Sequence, residues 1–328
     1  MIVVTGGAGF IGSNLVAGLE EAGLGPVSVV DRLGTDDKWK NLRRRALDEL
    51  VAPEDVFDFL ERRKTDITYV VHMGAISATT ETDADLIIDT NYRLSQGIWD
   101  WCAWNEIPLI YASSAATYGD GSEGFDDDGS PQALGRFVPM NAYGWSKNAF
   151  DRWVAQQVAD GGQTPPQWVG LKFFNVYGPN EYHKGGMMSH VTRSYPAAAA
   201  GEPVTLFRSD HPDYPDGGQK RDFVYVKDCV DVMLWLMDQP DVSGLFNLGS
   251  GRAQTWLELM GALYSAVGRD LEVNWVDTPE ELRDQYQYFT QAEMGRLRAA
   301  GYTAPFRSVE QGVADYVGMH LATKDPYR

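Results

Sequence analysis

The stretch TGGAGFIGSN, residues 5–14, constrains the fold of this chain more than any other. Gly6, Gly9 and Gly12 recur at three-residue intervals between a run that reads as a strand, MIVVTG (1–6), and one that reads as a helix, GSNLVAGLEEAG (12–23). Glycine at these places permits a tight turn, close approach of the backbone to a pyrophosphate, and close packing of helix on strand. The helix N-terminus then turns free N–H groups toward the phosphates. The next strand, VSVVD (27–31), ends on Asp31, where a carboxylate meets the adenosine ribose. A glycine triplet alone also serves ordinary turns. Strand, helix and acid together mark a dinucleotide site. These residues leave NAD and NADP both open. Asp31 repels a 2′-phosphate, whereas Arg32, Lys38 and Lys40 are either ordinary surface charges or cations able to neutralise one.

The alternation continues through the first two-thirds of the chain. YVVHMG (69–74), PLIYASS (108–114) and part of QWVGLKFFNVYG (167–178) read as strands. DTNYRLSQGIWDWCAWNE (89–106) and NAYGWSKNAFDRWVAQQVA (141–159) read as helices between them. This order predicts an α/β fold: a Rossmann-like, doubly wound parallel sheet. After about residue 178 turn-formers dominate, among helical runs such as VTRSYPAAAAG, and the run 290–320 reads as two helices with a Gly/Pro break. The expected division is a dinucleotide-binding domain of residues 1–177 and about 221–246. A smaller, mixed α/β substrate-binding lobe then takes about 178–220 and 247–328.

With 328 residues, 44% hydrophobic and 23% charged, the chain has the balance of a globular protein. Its net charge of −18 repels nucleic acid and anionic membrane surfaces, so neither is an expected partner. A phosphate-bearing ligand must be held by local donors. The two cysteines, Cys102 and Cys229, are expected as separate half-buried thiols, and no spacing suggests a metal site. No secretory leader or membrane span is read, which makes a cytoplasmic location the expectation.

YGWSK places Tyr143 and Lys147 four apart, on one face of a helix. A phenol is a poor base at neutral pH, but a nearby ammonium and a positive nicotinamide ring favour its phenolate. The motif gains weight from YASSAATYG, which puts Ser113 and Ser114 at the end of a strand, where open α/β sheets take ligands. A further lysine, Lys184, stands between a histidine and two glycines in EYHKGGMMSH.

The glycine pattern, Asp31, the strand-end serines and the Tyr143/Lys147 pair resemble the extended short-chain dehydrogenase/reductase family over nearly the whole chain. Within it, YASSAATYG, FNVYGPNEYHKG, KRDFVYVKD, FNLGSGRAQTW and FTQAEMGRLRAAGY together resemble the ADP-heptose 6-epimerases, whose product serves lipopolysaccharide synthesis. The resemblance implies transient oxidation at C6 by tightly held NADP, with NAD possible, and return of hydride to the other face. It implies two acid/bases, Tyr143 and Lys184, because a single base placed for one epimer is badly placed for the other. Ser114 would orient the reacting hydroxyl and Lys147 hold the nicotinamide ribose. Phe10, Ile11, Gly74, Ala75, Asn91, Val176 and Lys184 would line the cofactor. Asn175, Gly186, Arg193, Phe207, Arg221 and Tyr286 would contact the ADP-heptose, Arg221 on phosphate. Phe207 and Tyr286 read equally well as core, His72 and His183 read as structural, and either His190 or Arg193 is a candidate for touching substrate. The family forms homo-oligomers. The loop RSDHPDYPDGGQKRD is longer than the family pattern, which bears on the choice of sugar.

Three rival readings differ in residues. A 4,6-dehydratase wants an acid pair after the strand-end serine, where this chain has Ala115 and Ala116. A 4-epimerase with one tyrosine acid/base leaves Lys184 unexplained. A binding protein without catalysis typically lacks the tyrosine or lysine that is present here.

Overall fold

A computed structural model gives the structure, describing residues 1–279 and 287–328. The apolar runs of the first half form short strands: Ile2–Thr5 (β1), Val27–Val30 (β2), Leu50–Val51 (β3), Tyr69–His72 (β4), Leu109–Ser114 (β5) and Trp168–Phe173 (β6). β1, β2 and β4 are buried along their whole length. A strand covered on both faces needs no polar alternation, which is the signature of a parallel sheet packed between helices.

The helices doing the covering are Phe10–Glu21 (α1), Val56–Arg63 (α2), Ala84–Ile88 (α3), Leu94–Trp104 (α4), Pro131–Leu134 (α5) and Ala142–Ala159 (α6). Beyond them come Asn175–Tyr177 (β7), His190–Ala200 (α7), Val204–Phe207 (β8), Lys220–Tyr225 (β9), Val226–Met237 (α8), Gly244–Leu248 (β10), Ala253–Thr255 (β11), Trp256–Ala266 (α9) and Val273–Val276 (β12). The seven-stranded sheet has the order β3-β2-β1-β4-β5-β6-β10, and every neighbouring pair in it is parallel. Side chains alternate across it. Ile2 and Val4 join the layer of Leu15 and Val16 from α1 and Val230 and Met233 from α8. Val3 joins the opposite layer, with Phe59 of α2, Trp99 of α4, and Phe150 and Val154 of α6.

A third core belongs to the smaller part. It joins Val191 of α7, Leu206 of β8, Phe223 of β9, Leu263 of α9 and Val313 of the helix Val309–Tyr316. Two small sheets frame it: β11-β9-β7, with β9 antiparallel to β11 and parallel to β7, and the parallel pair β12-β8.

Several local details differ from the expectations. The run 167–178 holds two strands, because the chain leaves the large sheet at Phe174, and β7 pairs with β9 instead. The run 221–246 serves three places: β9 lies in a small sheet, α8 packs on α1, and β10 closes the edge of the large sheet. The helix expected at 89–106 begins earlier, at Ala84, and is interrupted by a π-helical turn, Asp89–Arg93. Cys102 and Cys229 are free and fully buried rather than half-buried.

The strand order reverses between β1 and β4. Sheets of this kind take ligands in the crevice beyond the carboxyl ends of the strands at that reversal.

Candidate active site

A cavity of about 590 Å³ opens at this crevice. Its dinucleotide end is the glycine loop, with Gly6, Gly9, Phe10, Ile11 and Gly12 in the wall. The glycines let the loop pack close on itself and on the backbone beneath it. A Cβ on Gly12 would lie 2.2 Å from the Gly6 carbonyl oxygen, and one on Gly6, at φ +66°, would lie 2.6 Å from the Gly74 nitrogen. The N-terminus of α1 meets the cavity here, with Phe10 and Ile11 beside it. Gly74 itself lies beneath the loop, donating its N–H to Thr5 Oγ1 at 3.1 Å.

Asp31 follows β2 directly beside this loop, outside the cavity wall. Its Oδ2 accepts the Ala8 N–H at 2.9 Å and its Oδ1 pairs with Lys38 at 2.7 Å. Lys38 reaches the wall and also donates to the Arg32 carbonyl at 2.9 Å. Arg32 is exposed and paired with Glu54. Ala75 lines the cavity, whereas Asn91 does not. The Asn91 amide is taken up by both backbone groups of Ile76, at 2.8 and 2.9 Å, and by Ser146 at 3.1 Å. The π-helical turn carries this asparagine, which ties the loop after β4 to α6.

The catalytic face is built by α6 and the end of β5. Asn141 caps α6 by accepting the Gly144 N–H, and the helix then presents Tyr143 and Lys147 to the cavity one turn apart. Burial raises the pKa of Tyr143; Ser114, hydrogen-bonded to it, pulls it back, and Asp151 raises it further. Burial pushes the Lys147 ammonium down to about 8, against the attraction of Asp151. Its Nζ donates to the Ala112 carbonyl at 2.8 Å. The two strand-end serines are distinguished here. Ser113 Oγ donates to Asp151 Oδ2 at 2.6 Å, while Ser114 stands beside Tyr143. Asp151 also holds Lys172 of β6 at 2.7 Å, both side chains fully buried. The sequence signal for this pair was a lysine inside an apolar strand, which has to find an anion.

The opposite wall comes from the segment after β7. Asn175 and Val176 line the cavity, and so do His183 and Lys184 of the turn Tyr182–Met187. Burial lowers the Lys184 pKa, and Glu181 opposes the shift. Its Nζ lies 5.3 Å from the centre of the Phe10 ring. Sequence reading did not single out Ser77, Met187, Met188, Phe223 and Trp256, which complete the wall. His190 lines it too, its ring 4.6 Å from that of Trp256, and burial pushes its pKa down to about 4. His190 and Trp256 come together where α7 packs on α9, and the others come from the loop after β4, the Lys184 turn and β9, so no local motif announces the set.

The remaining substrate candidates among the described residues stand outside the wall. Arg193 is exposed and donates to the Gly186 carbonyl at 3.1 Å, so those two are joined to each other. Phe207 ends β8, half-buried, and Arg221 lies buried in β9 with an N–H on the Lys220 carbonyl at 2.9 Å. Tyr286 lies outside the described residues. His72 is buried between Thr5 Oγ1 at 2.6 Å and Ser95 Oγ at 2.9 Å, its pKa pushed down to about 3 by burial and then by Lys147. In the long loop, Arg208 pairs with Asp216, and the His211 ring packs against Tyr214 and Tyr288.

The model of the NAD dependent epimerase/dehydratase family matches residues 2–249. An ADP-L-glycero-D-manno-heptose-6-epimerase from Nitratidesulfovibrio vulgaris is 48% identical over all of both chains, and one from Fusobacterium nucleatum is 44% identical, again over all of both. The crystal structure of the Helicobacter pylori ADP-L-glycero-D-manno-heptose-6-epimerase superposes with a TM-score of 0.78 at 29% identity, covering 97% of this chain and 95% of that one. Thermus thermophilus UDP-glucose 4-epimerase, in complex with NAD, superposes at 0.72 with 26% identity, covering 95% and 96%. The chain belongs to the NAD dependent epimerase/dehydratase family and, within it, to the ADP-L-glycero-D-manno-heptose-6-epimerases.

Proposed function

We propose that this chain inverts C6 of the heptose in ADP-D-glycero-D-manno-heptose, giving ADP-L-glycero-D-manno-heptose through a 6-keto intermediate. The observation that carries the reading is the placement of two proton-handling side chains, Tyr143 and Lys184, in one cavity but on unrelated elements. An enzyme that must accept C6 in both configurations needs a proton acceptor in each of two positions. The names of relatives 48% and 44% identical supply the sugar and the carbon.

The glycine loop, Asp31 and Lys147 would hold a nicotinamide dinucleotide, which would supply the acceptor and donor of the C6 hydride. We take it to be NADP, since Arg32 and Lys38 stand beside Asp31 where a 2′-phosphate needs cations. Tyr143 removes the hydroxyl proton of one epimer, helped by the charge on Lys147, and Ser114 orients that hydroxyl. After the keto sugar has turned, Lys184 gives a proton to the new alkoxide; in reverse it is the base. Burial lowers the Lys184 pKa, the direction that makes the ammonium a better proton donor. This reading includes the division into a dinucleotide-binding domain and a substrate lobe, with Asn175, Arg193, Phe207 and Arg221 on the substrate side. It also includes a cytoplasmic, homo-oligomeric enzyme making a lipopolysaccharide precursor. Among the described residues no helix is long and apolar enough to cross a membrane.

The test is proton NMR of the purified protein with ADP-D-glycero-D-manno-heptose and no added cofactor. The L-glycero epimer should appear without accumulation of reduced nicotinamide. Inertness in protein that holds intact oxidised cofactor would move the substrate to another nucleotide sugar.

A further inference from the structure

The two proton-handling groups of the cavity are held in unlike ways. Tyr143 rides on a helix of 18 residues. Lys184 rides on a six-residue turn that contains Gly185 at φ +53° and ψ −124°. Among the described residues no hydrogen bond or ion pair holds the Lys184 ammonium, so its position depends on what holds the turn.

Asn41 reaches from the glycine loop to the segment that leads into this turn and to His183 within it. Its side chain is 1% exposed. Its Nδ2 donates to the Ala8 carbonyl in the glycine loop at 2.9 Å and to the Asn180 carbonyl at 3.0 Å, with His183 Nδ1 at 3.3 Å. Its Oδ1 has no partner among the described residues, so the donors are what this position uses. From the other side, Tyr182 donates its hydroxyl to the Pro326 carbonyl at 3.0 Å and meets the Tyr327 ring edge-on at 5.1 Å.

We infer that Asn41 is a positioning residue that joins the Lys184 turn to the glycine loop, fixing where Lys184 enters the cavity relative to the dinucleotide. The inference rests on the reading of Lys184 as the second acid/base. A side-chain amide suits the task because one NH₂ group can serve two carbonyls at once, which a carboxylate cannot. The effect on rate should be large, because a misplacement of about 1 Å costs on the order of 100-fold.

The test compares wild type with Asn41→Ala and Asn41→Asp, each checked for bound dinucleotide. Steady-state epimerisation should fall about 10- to 100-fold in both variants. In single turnovers the loss should be one-sided. One epimer should still reduce the bound nicotinamide at near wild-type rate, read by its absorbance, while the other should not. Amide hydrogen exchange should quicken across residues 181–188 and stay unchanged across 143–159. Equal loss from both epimers, or unchanged exchange across the turn, would overturn the inference. If Asn41→Ala does not fold, Tyr182→Phe replaces it, since it releases the same turn from its other side and must show the same one-sidedness. Wild type inert toward the heptose would sink the functional reading, while exchange across 181–188 would still decide the anchoring.

Discussion

Tyr143 and Lys184 are asked to do the same work from opposite walls, and removing either should be equally damaging. Tyr143→Phe keeps the ring and loses the proton; Lys184→Met keeps the stem and loses the ammonium. Each should cut epimerisation by about 100-fold or more, in the range typical of general acid/base groups, with dinucleotide still bound. Near-normal turnover in both directions by Lys184→Met would remove the second base from the mechanism. Lys147 allows a different test. Its folded pKa of about 8 lies below the ~10.4 of an unfolded lysine, so between those values the unfolded chain binds more protons than the folded one. Stability from this residue therefore rises with pH across that window, and below about 8 the full cost of a buried charge is present. Lys147→Met should abolish most activity yet raise stability by about 1–2 kcal/mol at neutral pH, after allowing for the lost bond to Ala112. Urea unfolding at neutral pH and near pH 10 would check it, since the advantage should vanish at the higher value. A variant less stable than wild type at both would contradict it.

At the scale of elements, the loop between β1 and α1 was the most legible part of the chain. Its requirement for small residues is local: the Cβ that Gly12 lacks would lie 2.2 Å from the Gly6 carbonyl oxygen, within one turn of chain. Gly12→Ala should force α1 away from the loop, cost about 1–3 kcal/mol as overpacking does, and strip the dinucleotide. A denaturant midpoint and the nucleotide content of the purified variant read the two effects separately, and an alanine variant that kept both would show the loop to be slack. The helix bearing Tyr143 and Lys147 was legible for the same local reason, since four-residue spacing is a property of one element. Legibility failed where an element's role depends on a distant partner. The run 221–246 gave apolar patterns suited to any core, and only the tertiary fold sends β9 to one sheet and β10 to another. The π-helical turn at Asp89–Arg93 was hidden because the reason for it, Asn91 holding Ile76, lies outside the helix. Trp256 and Met188 carried no signal, as a wall assembled from α9 and the Lys184 turn has no period in sequence.

Across the whole molecule the governing quantity is charge. There are 46 acidic and 28 basic side chains, a net of −18. The cations are mostly spent locally: Arg63 faces Asp48, Glu49 and Asp66, Arg307 faces Asp228 and Asp231, and Asp325 draws both Arg43 and Arg44. Apart from the pair on buried Asp228, partly exposed surface pairs of this kind contribute about 0–1 kcal/mol each, and salt weakens them. The surplus acids act over a longer range. At about 10 mM salt the screening length is ~30 Å, so like charges on opposite sides of a domain still repel, whereas at about 150 mM it is ~8 Å and they do not. Salt therefore removes more repulsion than attraction from a molecule with this imbalance. The thermal midpoint should rise as sodium chloride is raised over that interval, and it should rise further in Asp-to-Asn variants at unpaired surface positions. The buried Asp151–Lys172 pair, with no solvent contact, should contribute nothing to the change. A midpoint that fell with added salt would mean that the surface pairs outweigh the surplus, and that this acidic chain is held together by the charges it has matched rather than strained by those it has not.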